Sequence, residues 1–179
     1  MQKFLRISMA LATVILFSHS AMAMPSAGSR QLSWPLRFDG IGPLIVGMTF
    51  DEVNRHLGKP LARIPVKLRG TPNCEQLEVD DIPGVWLMFI DDVLKRIDVG
   101  DKSTTRTQAG AGIGDPIAKV IATYPDATRT PGAYAEDQTR LTIRQANSSK
   151  ALRFETDADK VIVFYAGEWE QLNYDEGCL

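Results

Sequence analysis

The side chains best able to do chemistry in this sequence are His56 and the two acids that precede it, Asp51 and Glu52. A histidine paired with a carboxylate can act as a general base, and the four-residue spacing of Glu52 and His56 places both on one helix face. No serine or cysteine has the sequence context of an activated nucleophile, and a lone histidine is a poor metal site. We expect no catalytic residue, metal or cofactor, and keep a hydrolase built around His56 as the alternative.

Two other patterns imitate binding motifs without completing them. Residues 110–114 read Gly-Ala-Gly-Ile-Gly, but a dinucleotide site needs GxGxxG within a βαβ unit, and the Walker lysine is missing. Asp157 and Asp159 lack the third acid, the glycine and the distal glutamate of an EF-hand. We interpret the glycines as turns that need positive φ, and Asp157–Asp159, like Asp91–Asp92, as hairpin turns.

The chain contains one pattern twice, at residues 46–60 and again at residues 113–125, about 67 residues later. Each copy is a glycine turn followed by a predicted two-turn helix. The apolar positions correspond and form one buried stripe in each helix: Phe50, Val53 and Leu57 in the first, and Ile117, Val120 and Tyr124 in the second. This correspondence predicts an internal repeat.

Both helices carry end signals. In the first, Thr49 and Glu52 form a capping box and Gly58 stands where a C-terminal glycine belongs. In the second, we expect Asp115 to cap the helix and Pro116 to occupy its first position.

Residues 1–23 read as a signal peptide, with basic Lys3 and Arg6, an apolar core, and a small-residue cleavage site at residues 21–23. The apolar core is too short for a permanent membrane anchor. Cleavage leaves residues 24–179, enough for a single exported domain, which we expect to be periplasmic or secreted. We divide it into two repeats, about residues 36–103 and 104–172, and a C-terminal tail.

The charge of the chain argues against two classes of partner. The whole sequence has a formal net charge of −2, and loss of Lys3 and Arg6 makes it about −4. Because the charges are mild and interspersed, neither nucleic acid nor an anionic membrane is an expected partner.

Two cysteines, Cys74 and Cys178, lie in the predicted exported part. An even number of cysteines in an oxidising compartment predicts one disulfide bond. The alternative, a metal or redox pair, lacks any CxxC or Cys–His spacing. The bond would tie the end of the chain to its first half.

Alternating apolar residues and turn signals predict strands in both repeats: residues 75–79, 85–90, 94–99, 140–144, 151–155 and 160–165, with a further edge strand at residues 34–38. A long connection at residues 60–73 and a loop at residues 126–136 separate these strands from the helices. The expected architecture is α+β, with two tandem units of a helix and a three-stranded meander. Their strands form one joined antiparallel sheet with both short helices on one face.

The opposite sheet face is the predicted binding surface. If Leu87, Phe89, Ile97 and Val99 face the helices, period-two alternation exposes a different set. Its candidate binding residues are Trp86, Met88, Arg96, Arg144, Arg153 and Tyr165. Tryptophan, tyrosine and arginine dominate the binding energy of protein interfaces, so the expected partner is another protein. The alternative is that the N-terminal arm with Trp34, or the tail Glu168–Cys178, covers this face.

The first helix motif, Val46-Gly47-Met48-Thr49 with Val53, Leu57 and Gly58 following, resembles a known pattern. It is similar to the GMT-x-x-x-V-x-x-x-x-G motif of the β-lactamase inhibitor protein family, and of the small lipoproteins that assist outer-membrane protein assembly. Uncharacterised bacterial exported proteins look similar too. The inhibitor family has two helix-and-sheet units and a concave sheet that grips an enzyme. The resemblance implies a protein-binding scaffold of the bacterial envelope, and no contact residue is carried over. The second copy has Asp115-Pro116 in place of Met-Thr.

Overall fold

The computed structural model describes residues 34–179, so the predicted signal peptide at residues 1–23 and the residues 24–33 that follow it lie outside the described residues. The fold is α+β, as predicted, with two helices and two antiparallel sheets in the described part. Helix α1 spans Phe50–Leu57 and helix α2 spans Ile117–Thr123.

A small sheet precedes α1 and contains β1 (Leu36–Arg37), β2 (Gly40–Ile41) and β3 (Leu44–Ile45). The large sheet has the strand order β4-β5-β6-β10-β9-β8-β7. Its strands are β4 (Cys74–Glu78), β5 (Val85–Ile90), β6 (Val93–Val99), β7 (Thr128–Pro131), β8 (Thr139–Arg144), β9 (Lys150–Asp157) and β10 (Lys160–Glu168).

Strands β4, β5, β6, β8, β9 and β10 lie within a few residues of their predicted positions, and two segments differ. The predicted edge strand at residues 34–38 belongs to the small sheet instead of the large one. The predicted loop at residues 126–136 contains β7, whose residues are all exposed. β7 contains Arg129 and Pro131 and no alternating apolar residues, so the alternation pattern does not predict it. Arginine and proline on an edge strand also discourage edge-to-edge pairing.

Helix α1 has both predicted end structures. The Thr49 hydroxyl accepts a hydrogen bond from the Glu52 backbone amide, and the Glu52 carboxylate accepts one from the Thr49 amide at 2.8 Å. Gly58 ends the helix in the left-handed region with φ of +73°. Here the local sequence alone determines the helix boundaries.

The predicted start of α2 is wrong. Pro116 lies outside the helix in an extended conformation, and the Asp115 side chain does not cap it. The buried Asp115 carboxylate instead accepts hydrogen bonds from the Gly112 amide, Arg106 and Lys119, each at 2.9 Å. Asp115 therefore fixes the glycine turn before the helix.

Three of the four predicted turn residues, Asp91, Asp92 and Asp159, lie in turns. Asp91 and Asp92 connect β5 to β6, and both have positive φ. The turn between β9 and β10 consists of Ala158, which has φ of +50°, and Asp159, whereas Asp157 is the last residue of β9. The positive φ of Asp91 and Asp92 suits their residue type, because aspartate can hydrogen-bond locally and tolerates the left-handed region better than most side chains.

The main hydrophobic core lies between the helices and the large sheet. Phe50 and Val53 of α1 and Ile117 and Val120 of α2 are buried in it, as the stripe pattern predicts. Aromatic pairs connect the helix residues to the sheet: Phe50 packs edge-on against Phe89 at 5.3 Å between ring centroids, Tyr124 lies 5.8 Å from Phe154, and Phe154 stacks on Phe164 at 5.4 Å. Neither helix is long and apolar enough to cross a bilayer.

The predicted disulfide bond is present. Cys74 at the start of β4 is joined to Cys178, with 5.3 Å between their Cα atoms and a sequence separation of 104. A loop of this length restricts the unfolded chain strongly.

The disulfide yields a stability prediction. Native protein should resist thiol alkylation until it is reduced, as intact mass will show. The double substitution Cys74→Ala/Cys178→Ala should lower the free energy of unfolding by about 2–5 kcal/mol in urea titrations. Two thiols that alkylate without reduction, or an unchanged free energy, would contradict this.

Asp115 yields a pH prediction. Burial alone would raise the pKa of its carboxyl, but hydrogen bonds from Lys119, Arg106 and Gly112 outweigh burial and lower it. A lowered pKa contributes stability above the unfolded-state pKa, and this contribution disappears as the pH falls through the folded-state pKa. Asp115→Asn should cost about 1–3 kcal/mol at pH 7 and less in acid, measured by urea unfolding. Exposed Asp126→Asn is the control, and an equal cost at both pH values would refute the mechanism.

Candidate functional site

The strand registers place the predicted binding residues on one face of the large sheet. Trp86 pairs with Asp98, Asp98 with Tyr165, and Tyr165 with Arg153, so four strands contribute one row. In the next row Met88 pairs with Arg96. These residues alternate with core residues such as Leu87, so they lie opposite the helices, as the sequence predicts.

The C-terminal segment of the chain crosses this face. After β10 it forms a 3₁₀ turn, Gln171–Asn173, and then reaches Cys178. Leu172 is fully buried in a second, smaller apolar cluster with Ala151 and Tyr165. The tail thus forms part of the folded domain.

Arg96 is the first of two buried arginines that hold the tail. One of its terminal nitrogens donates hydrogen bonds to the backbone carbonyls of Gln171 and Tyr174, at 2.7 and 2.9 Å. Its Nε lies 2.9 Å from the Asp98 carboxylate, and its guanidinium lies over the Tyr165 ring. Burial raises the pKa of the Asp98 carboxyl, while Arg96 opposes this rise.

Arg153 holds the adjacent part of the tail without a carboxylate partner among the described residues. It donates hydrogen bonds to the Thr142 hydroxyl, the Leu172 carbonyl and the Asn173 side-chain oxygen. Its guanidinium lies 5.4 Å from the centre of the Trp169 ring. Carbonyl dipoles and the aromatic face therefore compensate a buried positive charge.

The structure separates the six candidate binding residues into two groups. Met88, Arg96, Arg153 and Tyr165 are buried, and the last three contact the tail. Trp86 is half-buried and Arg144 is exposed, with its guanidinium 4.0 Å from the centre of the Trp169 ring. The tail therefore covers the centre of this face, as the alternative prediction states, and leaves its margins accessible. Trp34 of the N-terminal arm packs over Gly42 and the main core instead.

Trp86 lines a cleft of about 430 Å³ between the sheet and the tail. Tyr165 and Tyr174 contribute to its walls, together with the acids Glu155 and Glu176. The Tyr165 hydroxyl donates a hydrogen bond to Glu155, and burial together with this carboxylate raises the pKa of Tyr165 well above its ordinary value. The hydroxyl therefore stays protonated at neutral pH.

Glu52 and His56, the residues of the hydrolase alternative, lie one helical turn apart on α1. His56 is exposed in the last turn of α1, and Glu52 is engaged in the capping box at the opposite end. Within residues 34–179, no group of three or more histidine, cysteine or acidic residues could hold a metal ion.

Sequence reasoning missed the exposed apolar residues that surround the tail. Tyr174 and Leu179 belong to the tail itself, Val66 and Leu68 lie in the long connection before β4, and Tyr134 lies in the loop after β7. We call these five residues the tail rim. Tyr134 shares a cleft with Tyr174 and Leu179, and Leu68 shares another with Leu179. Only the disulfide, which brings the tail to β4, hinted at this grouping.

Comparisons with models of protein families, with curated proteins and with solved structures gave no significant match for this chain. The resemblance to the inhibitor family therefore stays a prediction.

The buried tail yields a further stability prediction. Leu172→Ala should lower the free energy of unfolding by about 2–4 kcal/mol, because it removes a fully buried side chain and leaves a cavity in its place. Leu179→Ala in the same segment should change it little, because Leu179 is exposed. Urea titrations of both variants test this. Equal effects on the free energy of unfolding would contradict the burial of Leu172 against the sheet.

Proposed function

We propose that this protein is a non-catalytic, exported binding module whose partner is another protein. An inhibitor or immunity-type protein and an accessory protein of the bacterial envelope both fit this description. The periplasm or the exterior of the cell is the proposed location, based on the signal peptide predicted at residues 1–23. The disulfide bond agrees with an oxidising compartment.

The tail rim is the observation that carries the proposal. Seven large hydrophobic side chains are exposed in the described part of the chain, and five of them form the rim. The other two, Ile121 and Ile162, lie apart on α2 and β10. Scattered apolar residues are normal on a surface, but a group around one segment is typical of a binding surface.

The rim also modifies the binding surface proposed for the sheet face. Four of the six candidate residues are buried, and three of them hold the tail, so their replacement tests folding before binding. Trp86 and Arg144 remain accessible beside the tail. We therefore assign recognition to the rim together with the Trp86 cleft.

The repeat and the family resemblance support a scaffold dedicated to binding. We propose that residues 36–103 and 104–172 are two copies of one unit, because α1 and α2 each precede a meander that enters the large sheet. The second unit carries β7 as a fourth strand. Joining two such units produces a wide sheet, which is the arrangement that the resemblance to the inhibitor family implies. Fold alone does not determine function, so the partner must be found by experiment.

Photo-crosslinking tests the proposal. Benzoylphenylalanine is introduced in the native host at Leu68, Tyr134 or Tyr174, and separately at Ile121 or Ile162. These two controls are 40% and 41% exposed and Tyr174 is 38% exposed, so the controls match Tyr174 in accessibility. We expect irradiation to give a discrete adduct with another protein from the rim positions and none from the controls.

Two results would refute the protein-binding function. One is the absence of adducts from every rim position. The other is a similar set of adducts from rim and control positions, which indicates random collisions. Melting temperatures of the purified variants should be unchanged, because all five positions are exposed.

A further inference from the structure

We infer that the turn Val66–Leu68 is the principal contact of the binding surface, and that it inserts into an apolar pocket bordered by a carboxylate on the partner protein. This inference rests on the proposed function and specifies the chemistry of its partner. The turn lies within residues 61–73, which connect α1 to β4 and which we call the braced loop.

A single buried carboxylate braces the loop. Glu75 is only 2% exposed, and it accepts contacts from Arg63 at 2.7 Å and from Arg69 at 3.1 Å. It also accepts a hydrogen bond from the Ile64 backbone amide at 3.3 Å. The two arginines lie on either side of the turn, so Glu75 fixes both of its ends.

Further contacts fix the path of the backbone. Arg69 donates hydrogen bonds to the carbonyls of Ile64 at 2.8 Å and Pro72 at 3.1 Å. The guanidinium of Arg63 lies 3.7 Å from the centre of the Phe50 ring, and it forms a second ion pair with Asp92 at 2.7 Å. The loop is therefore held against α1 and β4 without help from its own tip.

The side chains of the tip are largely exposed. Val66 is 59% exposed and Leu68 is 68% exposed, and neither belongs to the buried core. Lys67 between them is exposed and has no ion pair with any of residues 34–179. Folding thus gains little from these three side chains, while the loop that presents them is extensively supported.

A rigid loop with an exposed apolar tip is suited to binding another protein. Because the backbone is already ordered, association does not have to restrict it, and more of the contact energy appears as affinity. The two aliphatic side chains require an apolar pocket. The lysine requires a carboxylate at its border, since burial of an unpaired ammonium group is unfavourable.

Charge favours a protein over a lipid surface. The other basic residues near the turn are already paired: Lys59 with Asp80 and Asp81, Arg63 and Arg69 with Glu75. One free lysine gives little attraction to anionic lipid, which typically requires a cluster of basic residues. The turn also has 3₁₀ hydrogen bonds, so it does not offer the extended backbone that pairs with a strand.

The test begins with the crosslinker at Leu68, and the crosslinked peptide of the partner is identified by mass spectrometry. Binding of the purified partner is then measured by calorimetry. We expect Leu68→Ser and Lys67→Glu to weaken binding by about tenfold or more, as hot-spot replacements do. Matched controls, Ile121→Ser and Lys102→Glu, should leave affinity unchanged. All four positions are exposed, so melting temperatures should stay constant.

The brace is tested separately by Glu75→Gln. This change removes the charge that holds both arginines, so affinity should fall although every tip side chain is present. If this variant loses stability, the tip variants still decide the question, because they replace exposed side chains outside the buried core. Unchanged affinity in both Leu68→Ser and Lys67→Glu would overturn the inference.

The outcomes separate the inference from the proposed function. Adducts from Tyr134 and Tyr174 but none from Leu68 would refute the role of the turn and leave the protein-binding function standing. No adducts from any rim position would refute both. Adducts of Leu68 with a second copy of the chain would contradict the inference that the partner is a different protein. Co-flotation with vesicles of phosphatidylethanolamine and phosphatidylglycerol, lost in Leu68→Ser, would overturn a protein partner in favour of lipid.

Discussion

Two buried guanidinium groups hold the C-terminal segment against the large sheet. The large sheet has helices on one face only, and its other face carries Met88 and Tyr165, which are too apolar to remain in water. Arg96 and Arg153 stand among them and require hydrogen-bond acceptors once buried. The carbonyls of the C-terminal segment supply those acceptors, and Leu172 packs with Ala151 and Tyr165. Breaking such a buried arrangement typically costs several kcal/mol, so the tail must stay in place for the sheet to be stable.

Buried charged side chains also hydrogen-bond to backbone groups in other irregular parts of the described structure. Segments without regular secondary structure have backbone groups that need partners, and a buried charge can satisfy several of them at once. Glu75 does this for the braced loop, and Asp115 does it for the glycine turn before α2. The arginines at the centre of the sheet do it for the tail. Three irregular segments thus obtain defined conformations from four charged residues on or beside the large sheet.

This division of roles explains why the exposed apolar residues concentrate around the tail. The tail covers the apolar centre of the sheet, and the residues that remain exposed lie at its margins and on the loops that flank it. The disulfide bond joins this region to β4, where the braced loop also ends. A contact surface assembled from rigid segments suits recognition of a preformed partner, because little conformational entropy is lost on binding.

The sequence by itself determined the features that depend on neighbours along the chain. The capping box at Thr49, the left-handed Gly58, the apolar helix stripes and the two-residue alternation of the strands all follow from local geometry. The cysteine count also predicted the disulfide correctly. The tertiary structure alone decided the role of Asp115, the pairing of β7 and the burial of Arg96 and Arg153. Their partners are distant in sequence, and a charged side chain looks the same in a sequence whether it faces water or a backbone carbonyl brought to it by the fold.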